Sequence, residues 1–586
     1  MMRLSVDAVR PHYNDKPCRS GQSWTFWRLG VVAILGALLV ITQSTNYTHH
    51  FHAHVAKHSI LRNLQAQPAL RFTFELKRKA MYVHGASTFD VVATPVSSNR
   101  QDDDRSMAYN GIASFEEDGD VHEYSLVDGT TYYTRRRSTQ SVLKAEAGCL
   151  PSGSVPPIES VLNAIETAAT ATYSDSLNDL CPYGSVMVFQ FAGEDFVLCS
   201  RQSRWSWFQE DNGFQILGKH LNIRIKYEQS VPIIVAPHVS TEELISCGKV
   251  QFGDRITPSL TSLLTRSFFE WSHRSLRAEI AEFAFFDKAF DKILDIVTDD
   301  DCRCKGAPRP CVFVAGLSSD VDLGLTDNDP QCYFGENIKE HTPCCSSRKY
   351  LTLATKQNKW YDPAFQQHTI DLLLNVSSTS DSRQRIVKDT IIIGHSMANL
   401  LLAGAIADGA VTLDASTSWI AASAPMMGSM GSNFIQDMCN GGENELVDSI
   451  IDLLGKCPVK IGELSLAYQD SNFSSPLLDK AYKAAQAAYA ANVDAVICSK
   501  SFTGLVTVRA AVYALAGAVI PHHSRLNDGI VEYSSCTMGL PLESFSASFK
   551  SSRYITELNH VDTSFRNGDG LFSDAKKPLR WLECLL

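Results

Sequence analysis

The sequence predicts a chain in three parts: one N-terminal apolar anchor, an antiparallel β-rich α+β domain over residues 68–240, and a C-terminal α/β domain over residues 255–586, its mostly parallel sheet flanked by helices. Three observations predict it. A single strongly apolar run lies near the N-terminus, the hydrophobic period is two from about Pro68 to Gln229, and beyond Ala307 short buried-strand patterns alternate with helical ones. The 586 residues suit two to four domains at roughly 100–200 residues each. With 44% hydrophobic and 20% charged residues the chain reads as globular, which excludes bulk disorder and a polytopic membrane protein. The 64 Asp and Glu outnumber the 53 Lys and Arg, and a net charge of −11 argues against a nucleic-acid partner, because phosphate binding needs a basic face.

The apolar run is Leu29 to Ile41 (LGVVAILGALLVI), preceded by Arg3, Arg10, Lys16, Arg19 and Arg28 against Asp7 and Asp15. A basic flank before an apolar run marks a secretory signal or a signal anchor. Its short length suits a cleaved signal, whereas Trp24, Phe26 and Trp27 at the headgroup level and the lack of an Ala-x-Ala site favour an uncleaved one. Residues 1–24 are therefore expected to be a cytoplasmic tail, 25–42 the transmembrane signal anchor and 43–67 a linker. The rest is then lumenal or extracellular, and secretion after cleavage is the alternative. Fifteen of the sixteen cysteines lie beyond the run, as do the Asn46, Asn375 and Asn472 glycosylation acceptors, although such acceptors also arise by chance in a long chain. In the linker, His49, His50, His52, His54 and His58 lack Cys or carboxylate partners and read as a solvated spacer, not a metal site.

In the β-rich domain, Phe72, Phe74 and Leu76 alternate with polar residues, and so do Leu221, Ile223, Ile225 and Tyr227. Turns are predicted at Asp128-Gly129, Gly193 and Asn212-Gly213, with one helix from Pro156, where proline suits the first turn. The expected curved sheet with a helix across it loosely resembles half-barrel domains that carry lipids, and a plain spacer or interaction domain fits the same pattern. Ser259 to Val297 turns helical and is rich in phenylalanine, as expected of core packing more than of a membrane-surface helix. Cys302, Cys304, Cys311, Cys332, Cys344 and Cys345 then crowd together. Their spacing departs from zinc-ligand spacing, and an oxidising lumen favours a disulfide-bridged loop region of undetermined connectivity.

The chemistry centres on Gly394-His395-Ser396-Met397-Ala398-Asn399, between the β-branched run Thr390 to Ile393 and the apolar stretch that ends at Gly409. A serine at the tip of a tight strand-to-helix turn needs small residues two before and two after it, here Gly394 and Ala398. The Met397 amide then faces an incoming oxyanion at the positive end of the helix. The bare pattern is weak, since Gly-x-Ser-x-[Gly/Ala] is expected about 0.4 times by chance in such a length, so the context carries the weight. Pro310 to Asp320 (PCVFVAGLSSD) reads as a buried strand entering a glycine turn, and Ser418 to Ser429 (SWIAASAPMMGS) as a strand entering a Pro/Gly loop. Asn527-Asp528-Gly529 puts a carboxylate at a turn beside an apolar run, and Asn559-His560-Val561-Asp562 puts a histidine in a polar loop.

Over roughly Ala307 to Leu586 the chain resembles the α/β-hydrolase superfamily, in particular its lipase and carboxylesterase branch. GHSMAN is similar to the GHSMGG-type elbow, SAPMMGS to the strand-end loop, NDGIV to the acid turn and LNHVD to the histidine loop. The resemblance implies Ser396 as nucleophile, His560 as general base, Asp528 as its orienting acid, and the Met397 and Leu317 amides as oxyanion donors, with Gly394, His395 and Ala398 shaping the elbow. Two positions differ from the family: Ala315-Gly316-Leu317 stands where lipases usually show His-Gly, and Ala398 stands in place of glycine. His522 and His523 lie too close to Asp528 in sequence to serve as its base, and Asp562 is expected to hold the histidine loop. A helical insertion over about 430–520 is expected to cap the site. The expectation is a serine hydrolase cleaving hydrophobic acyl or lipid esters through an acyl-enzyme, with no metal or organic cofactor. Alternatives are a catalytically inactive hydrolase fold that binds lipid or protein, and a lumenal deacylase or acyltransferase on membrane lipids such as GPI inositol.

Overall fold

The computed structural model describes residues 57–96 except 65, 108–137, 145–150, 164–170, 181, 184–191, 194–201, 213–239, 302–440, 455, 457–507 and 510–586. The expected anchor, the Asn46 acceptor, the turn at Gly193, residues 156–163 of the expected helix and the phenylalanine-rich segment 259–297 lie outside them. No helix among the described residues is long and apolar enough to cross a membrane.

The period-two region forms one antiparallel sheet of eleven strands: β1 (Ala69–Leu76), β2 (Thr88–Val96), β3 (Ala108–Glu117), β4 (Asp120–Val127), β5 (Thr130–Arg137), β6 (Ala145–Cys149), β7 (Ala169–Thr170), β8 (Gly184–Phe191), β9 (Glu194–Arg201), β10 (Phe214–Gly218) and β11 (Leu221–Glu228). Their order is β6-β5-β4-β3-β2-β1-β11-β10-β9-β8-β7, so the first and last strands meet in the middle, with Phe72 opposite Ile225. The predicted hairpin at Asp128-Gly129 joins β4 to β5 with both residues at positive φ (49° and 81°), the backbone twist that a tight antiparallel turn demands. Alternation buries Leu221, Ile223 and Ile225 in a core with Phe72, Phe189, Phe196 and Phe214, against Ile60 and Leu64 of a helical segment.

The second body holds β12 (Arg309–Val314), β13 (Gly324–Thr326), β14 (Cys345–Thr352), β15 (Ile386–Val387), β16 (Ile391–His395), β17 (Thr412–Leu413), β18 (Ser418–Ala422), β19 (Ala495–Ser499) and β20 (Arg553–Thr556). Seven of these form a mixed sheet in the order β13-β14-β12-β16-β18-β19-β20, parallel throughout except for β13, while β15 and β17 pair separately. Its strands are buried on both faces, which is why β16 and β18 read as unbroken apolar runs. Helices Pro363–Leu374, Met397–Ala407 and Pro476–Asn492 contribute Ile370, Leu400, Leu401, Tyr482 and Tyr489 to the core on one face. The other face buries Phe313, Ile393, Ile497 and Trp581 of the helix Pro578–Leu585.

One expectation needs correction here. The stretch 430–520 is not one capping insertion. Its run DKAYKAAQAAYAANVDAVI divides at Val493 into a helix and the core strand β19, which is flanked by β18 and β20. The buried Tyr482 and Tyr489 tie that helix to the sheet, leaving the short helices Met430–Cys439, Ile461–Leu464 and Ala510–Val519 more peripheral. The acid turn keeps its place beside the buried Val531 and leads to the short helix Tyr533–Cys536.

Among the described residues six disulfides join Cys181–Cys199, Cys302–Cys584, Cys304–Cys344, Cys311–Cys345, Cys439–Cys457 and Cys498–Cys536. The crowded cysteines are thus only partly bridged among themselves, since Cys302 reaches Cys584 and Cys332 is a free, exposed thiol. Such density suits an oxidising lumenal or extracellular compartment. Asn375 and Asn472 are both exposed.

Polar ties cross between the two bodies. Arg78 of the β-rich body meets Asp569 at 2.9 Å and Glu583 at 2.8 Å, and Glu194 pairs with the fully buried Lys577. Burial pushes the Glu194 carboxyl up, and the Lys577 ammonium pulls it part of the way back. Phe572 packs edge-on against Phe74 and Phe191, and the Asp569 amide donates to the Ala80 carbonyl at 2.7 Å.

Candidate active site

The mixed sheet sets Ser396 at the C-terminal end of β16, where the chain turns into the helix Met397–Ala407. Ser396 has φ 56° and ψ −128°, a conformation non-glycine residues rarely adopt and one that costs about 1–3 kcal/mol. The surroundings hold it there. The Ser396 amide donates to the Ala422 carbonyl of β18 at 2.9 Å. The fully buried Asn399 amide nitrogen donates to the carbonyls of Gly394, Ser396 and Ala422 at 3.0–3.2 Å, while its oxygen accepts from the Trp419 indole at 3.1 Å. A Cβ at Gly394 would lie 2.6 Å from Asn399 Oδ1, so glycine there makes room for this plug.

Two loops bring the expected partners to the serine. His560 follows β20, and its Nε2 lies 3.0 Å from Ser396 Oγ. Its Nδ1 lies 2.8 Å from Asp528 Oδ2, and its backbone amide donates to the Asp528 carbonyl at 2.8 Å. Asp528 Oδ1 accepts the Ile530 and Val531 amides at 3.0 and 2.6 Å. Burial alone would raise the Asp528 carboxyl, but the His560 ring and these hydrogen bonds outweigh it and hold the group below its ordinary value. An ionised Asp528 accepts the Nδ1 proton and leaves the Nε2 lone pair facing the hydroxyl. A chain of this kind can draw the proton off the serine as its oxygen attacks. Ser396, Asp528 and His560, 164 positions apart at the extremes, therefore meet as the sequence suggested.

The loop after β12 lies against the serine. A Cβ on Gly316 would fall 2.8 Å from both Ser396 Cβ and the His395 carbonyl, so only glycine allows this approach. The Gly316 amide is taken by Tyr333 Oη at 3.1 Å. Among the described residues, the Leu317 amide has no protein acceptor, and the Met397 amide, in the first helical turn, has none either. Ala398, two residues after the serine, is buried.

Sequence reasoning missed a second layer. His395 is fully buried between Tyr333 Oη, 2.6 Å from its Nδ1, and the His560 carbonyl and Thr563 Oγ1, 2.9 and 3.1 Å from its Nε2. Burial, helped by the nearby His560, pushes its pKa down to about 3, so the ring is neutral and donates from Nε2 to the His560 backbone. Tyr333 thereby links the Gly316 loop to the elbow, and Thr563 also bonds Ser423 Oγ at 2.8 Å. No signal in the sequence marked Tyr333 or Thr563, since each gains its role only from residues distant in the chain. Asp562 holds the histidine loop as expected, accepting the Leu505 amide at 2.7 Å and the Asn567 side chain at 2.7 Å. His523 and His522 turn to Glu532 instead: the His523 amide donates to it at 2.6 Å and His522 Nδ1 lies 3.6 Å from it. Among the described residues one group of three could ligate a metal, His84, Glu117 and His122, and it lies in the other body. No family model matches the chain. No curated protein is significantly similar to it.

Proposed function

We propose that the second body is an α/β-hydrolase-type serine esterase that cleaves hydrophobic acyl esters through an acyl-enzyme. The observation that carries this reading is the run Ser396 Oγ, His560 Nε2, His560 Nδ1, Asp528 Oδ2, at 3.0 and 2.8 Å, on a strained strand-to-helix turn. Ser396 Oγ attacks the ester carbonyl as its proton passes to His560 Nε2. The Met397 and Leu317 amides receive the developing oxyanion, each contributing roughly 3 kcal/mol to the transition state. The imidazolium returns the proton to the leaving alcohol, and a water molecule activated by the same ring releases the acid. The preference for apolar acyl groups rests on the buried cluster of Met430, Tyr468, Ala516 and Ile520 and on the exposed Ile461, Leu464, Val519 and Leu526 around the peripheral helices. The reading also takes Leu29 to Ile41 as the attachment to a membrane, with the disulfide-bonded bodies on its oxidising side.

The test is labelling of the folded chain by a fluorophosphonate probe beside turnover of p-nitrophenyl esters. Wild type should label and hydrolyse, and Ser396→Ala should do neither while keeping its melting temperature. A correctly folded wild type that stays unlabelled at neutral pH overturns the proposal and leaves a non-catalytic binding protein.

A further inference from the structure

The β-rich body holds a group that ester hydrolysis does not use. Three neighbouring segments build it. His84 occupies a turn closed by Val83 and Ala86, at φ 49° and followed by Gly85 at φ 75°. Glu117 is the last residue of β3, and His122 of β4 pairs with Phe115, which puts Glu117 and His122 on one face of the sheet. His84 Nδ1 lies 2.7 Å and His122 Nε2 3.9 Å from the same oxygen, Glu117 Oε2, and all three ligand atoms are within 4.8 Å of one another. The two imidazoles stack at 4.0 Å with 19° between their planes.

We propose that His84, Glu117 and His122 bind a divalent transition-metal ion of the Zn2+ class. The outer nitrogens of the rings supply an independent reason. His84 Nε2 meets Tyr124 Oη at 2.7 Å and His122 Nδ1 meets Tyr133 Oη at 3.4 Å, and these tyrosines are cross-strand partners on the same face. With the outer nitrogens donating to the hydroxyls, the Nδ1 lone pair of His84 and the Nε2 lone pair of His122 are both left for the space beside Glu117. Metal-bound imidazoles are held in this way, with the second ring nitrogen fixed by a polar partner. An ion at about 2.0–2.1 Å from each donor in tetrahedral array sets them about 3.3 Å apart. The present separations straddle that value; binding requires the two stacked rings to turn so that both lone pairs meet at one point, and Glu117, with its side chain 46% exposed, is free to adjust. Two nitrogens and one carboxylate select Zn2+ and its neighbours over Mg2+ or Ca2+, which take oxygen donors. Three protein ligands, one of them an exposed carboxylate, leave a fourth position for water or an outside ligand. Below the site, Phe115, Tyr124 and Tyr133 pack with Ala510 and Val506 of the second body, so a bound ion would brace the sheet face where the two bodies touch.

The experiment uses the full chain, stripped with chelator and titrated with Zn2+ against a chromophoric competitor. The N-terminal histidines could mimic a site, so the variant with His49, His50, His52 and His54 all changed to Ala is titrated beside wild type. One equivalent should bind to both. His84→Asn and His122→Asn should lose it, Tyr124→Phe should weaken it about 10–100-fold, and Glu117→Gln should weaken it further. Because Glu117 is at the surface, Glu117→Gln keeps the fold, and Zn2+ should raise the melting temperature of wild type but not of this variant. Unchanged affinity in Glu117→Gln and His84→Asn, or loss of the equivalent with the N-terminal histidines alone, overturns the proposal.

Discussion

Replacing Gly316 by alanine tests whether the loop after β12 serves the proposed reaction. The new methyl carbon would sit 2.8 Å from Ser396 Cβ, 2.8 Å from the His395 carbonyl and 2.9 Å from Tyr333 Oη. Ordinary carbon contacts begin near 3.4 Å. Two of the three neighbours belong to the elbow, which Asn399 and β18 pin in place. The loop must therefore give, by about 0.6 Å. A donor at ~2.9 Å from the oxyanion moves to ~3.5 Å, beyond useful hydrogen bonding, and loss of one such donor costs on the order of 10²–10³ in kcat. Overpacking should lower stability by about 1–3 kcal/mol, so the fold survives. The assay is steady-state hydrolysis of a p-nitrophenyl ester, with Leu317→Ala as control, since that change keeps the backbone amide and should stay near wild type. A Gly316→Ala enzyme within threefold of wild-type kcat would refute the placement of an oxyanion donor on this loop.

Three further outcomes follow from the polar interior. Asn399→Ala strips one donor from three carbonyls and one acceptor from the Trp419 indole, and should cost about 2–4 kcal/mol; an unmoved denaturation midpoint would show that the plug is dispensable. Asp562 is pushed up to about 6 by burial, against hydrogen bonds from Asn567, Leu505 and Asn559. Its folded pKa exceeds the ordinary 3.8, so its stabilisation is complete below pH 3.8 and is lost as pH rises through about 6. That amounts to about 3 kcal/mol, from roughly two pKa units at 1.36 kcal/mol each. Thermal melts between those pH values should decline more steeply for wild type than for Asp562→Asn, and parallel slopes would exclude this assignment. Glu194→Ala leaves Lys577 buried without its counter-charge and should cost about 3–5 kcal/mol. Denaturant unfolding measures it, and a loss under 1 kcal/mol would mean that water reaches the pair.

How much of this was legible in the sequence depended on distance along the chain. The elbow could be read because its strand, its small residues and its helix are contiguous, and Asp128-Gly129 could be read because two residues dictate their own turn. Asp528 and His560 were visible only as polar turn residues in a suggestive order; what joins them is the closing of two loops over the C-terminal ends of the strands. β19 stayed hidden because Ala495 to Ser499 continues an alanine-rich helix with no glycine or proline between, and only its neighbours β18 and β20 make it a strand. Tyr333, Thr563 and Asn399 gave no signal, since a tyrosine before a phenylalanine or an asparagine in a helix is ordinary until the third dimension assigns it partners. The cysteines were legible as bridged but not in their pairing, and Cys302 to Cys584 spans 282 positions.

The ties between the two bodies oppose their separation. A clam-like opening would pull Arg78 from Asp569 and Glu583 and Lys577 from Glu194 in one movement, exchanging buried ion pairs for separately hydrated charges. Such a swing would break these pairs and the Phe572 packing together, so the contacts oppose it as a set. On the proposed reaction, an ester would then reach Ser396 by local movement within the second body and not by a parting of the two bodies.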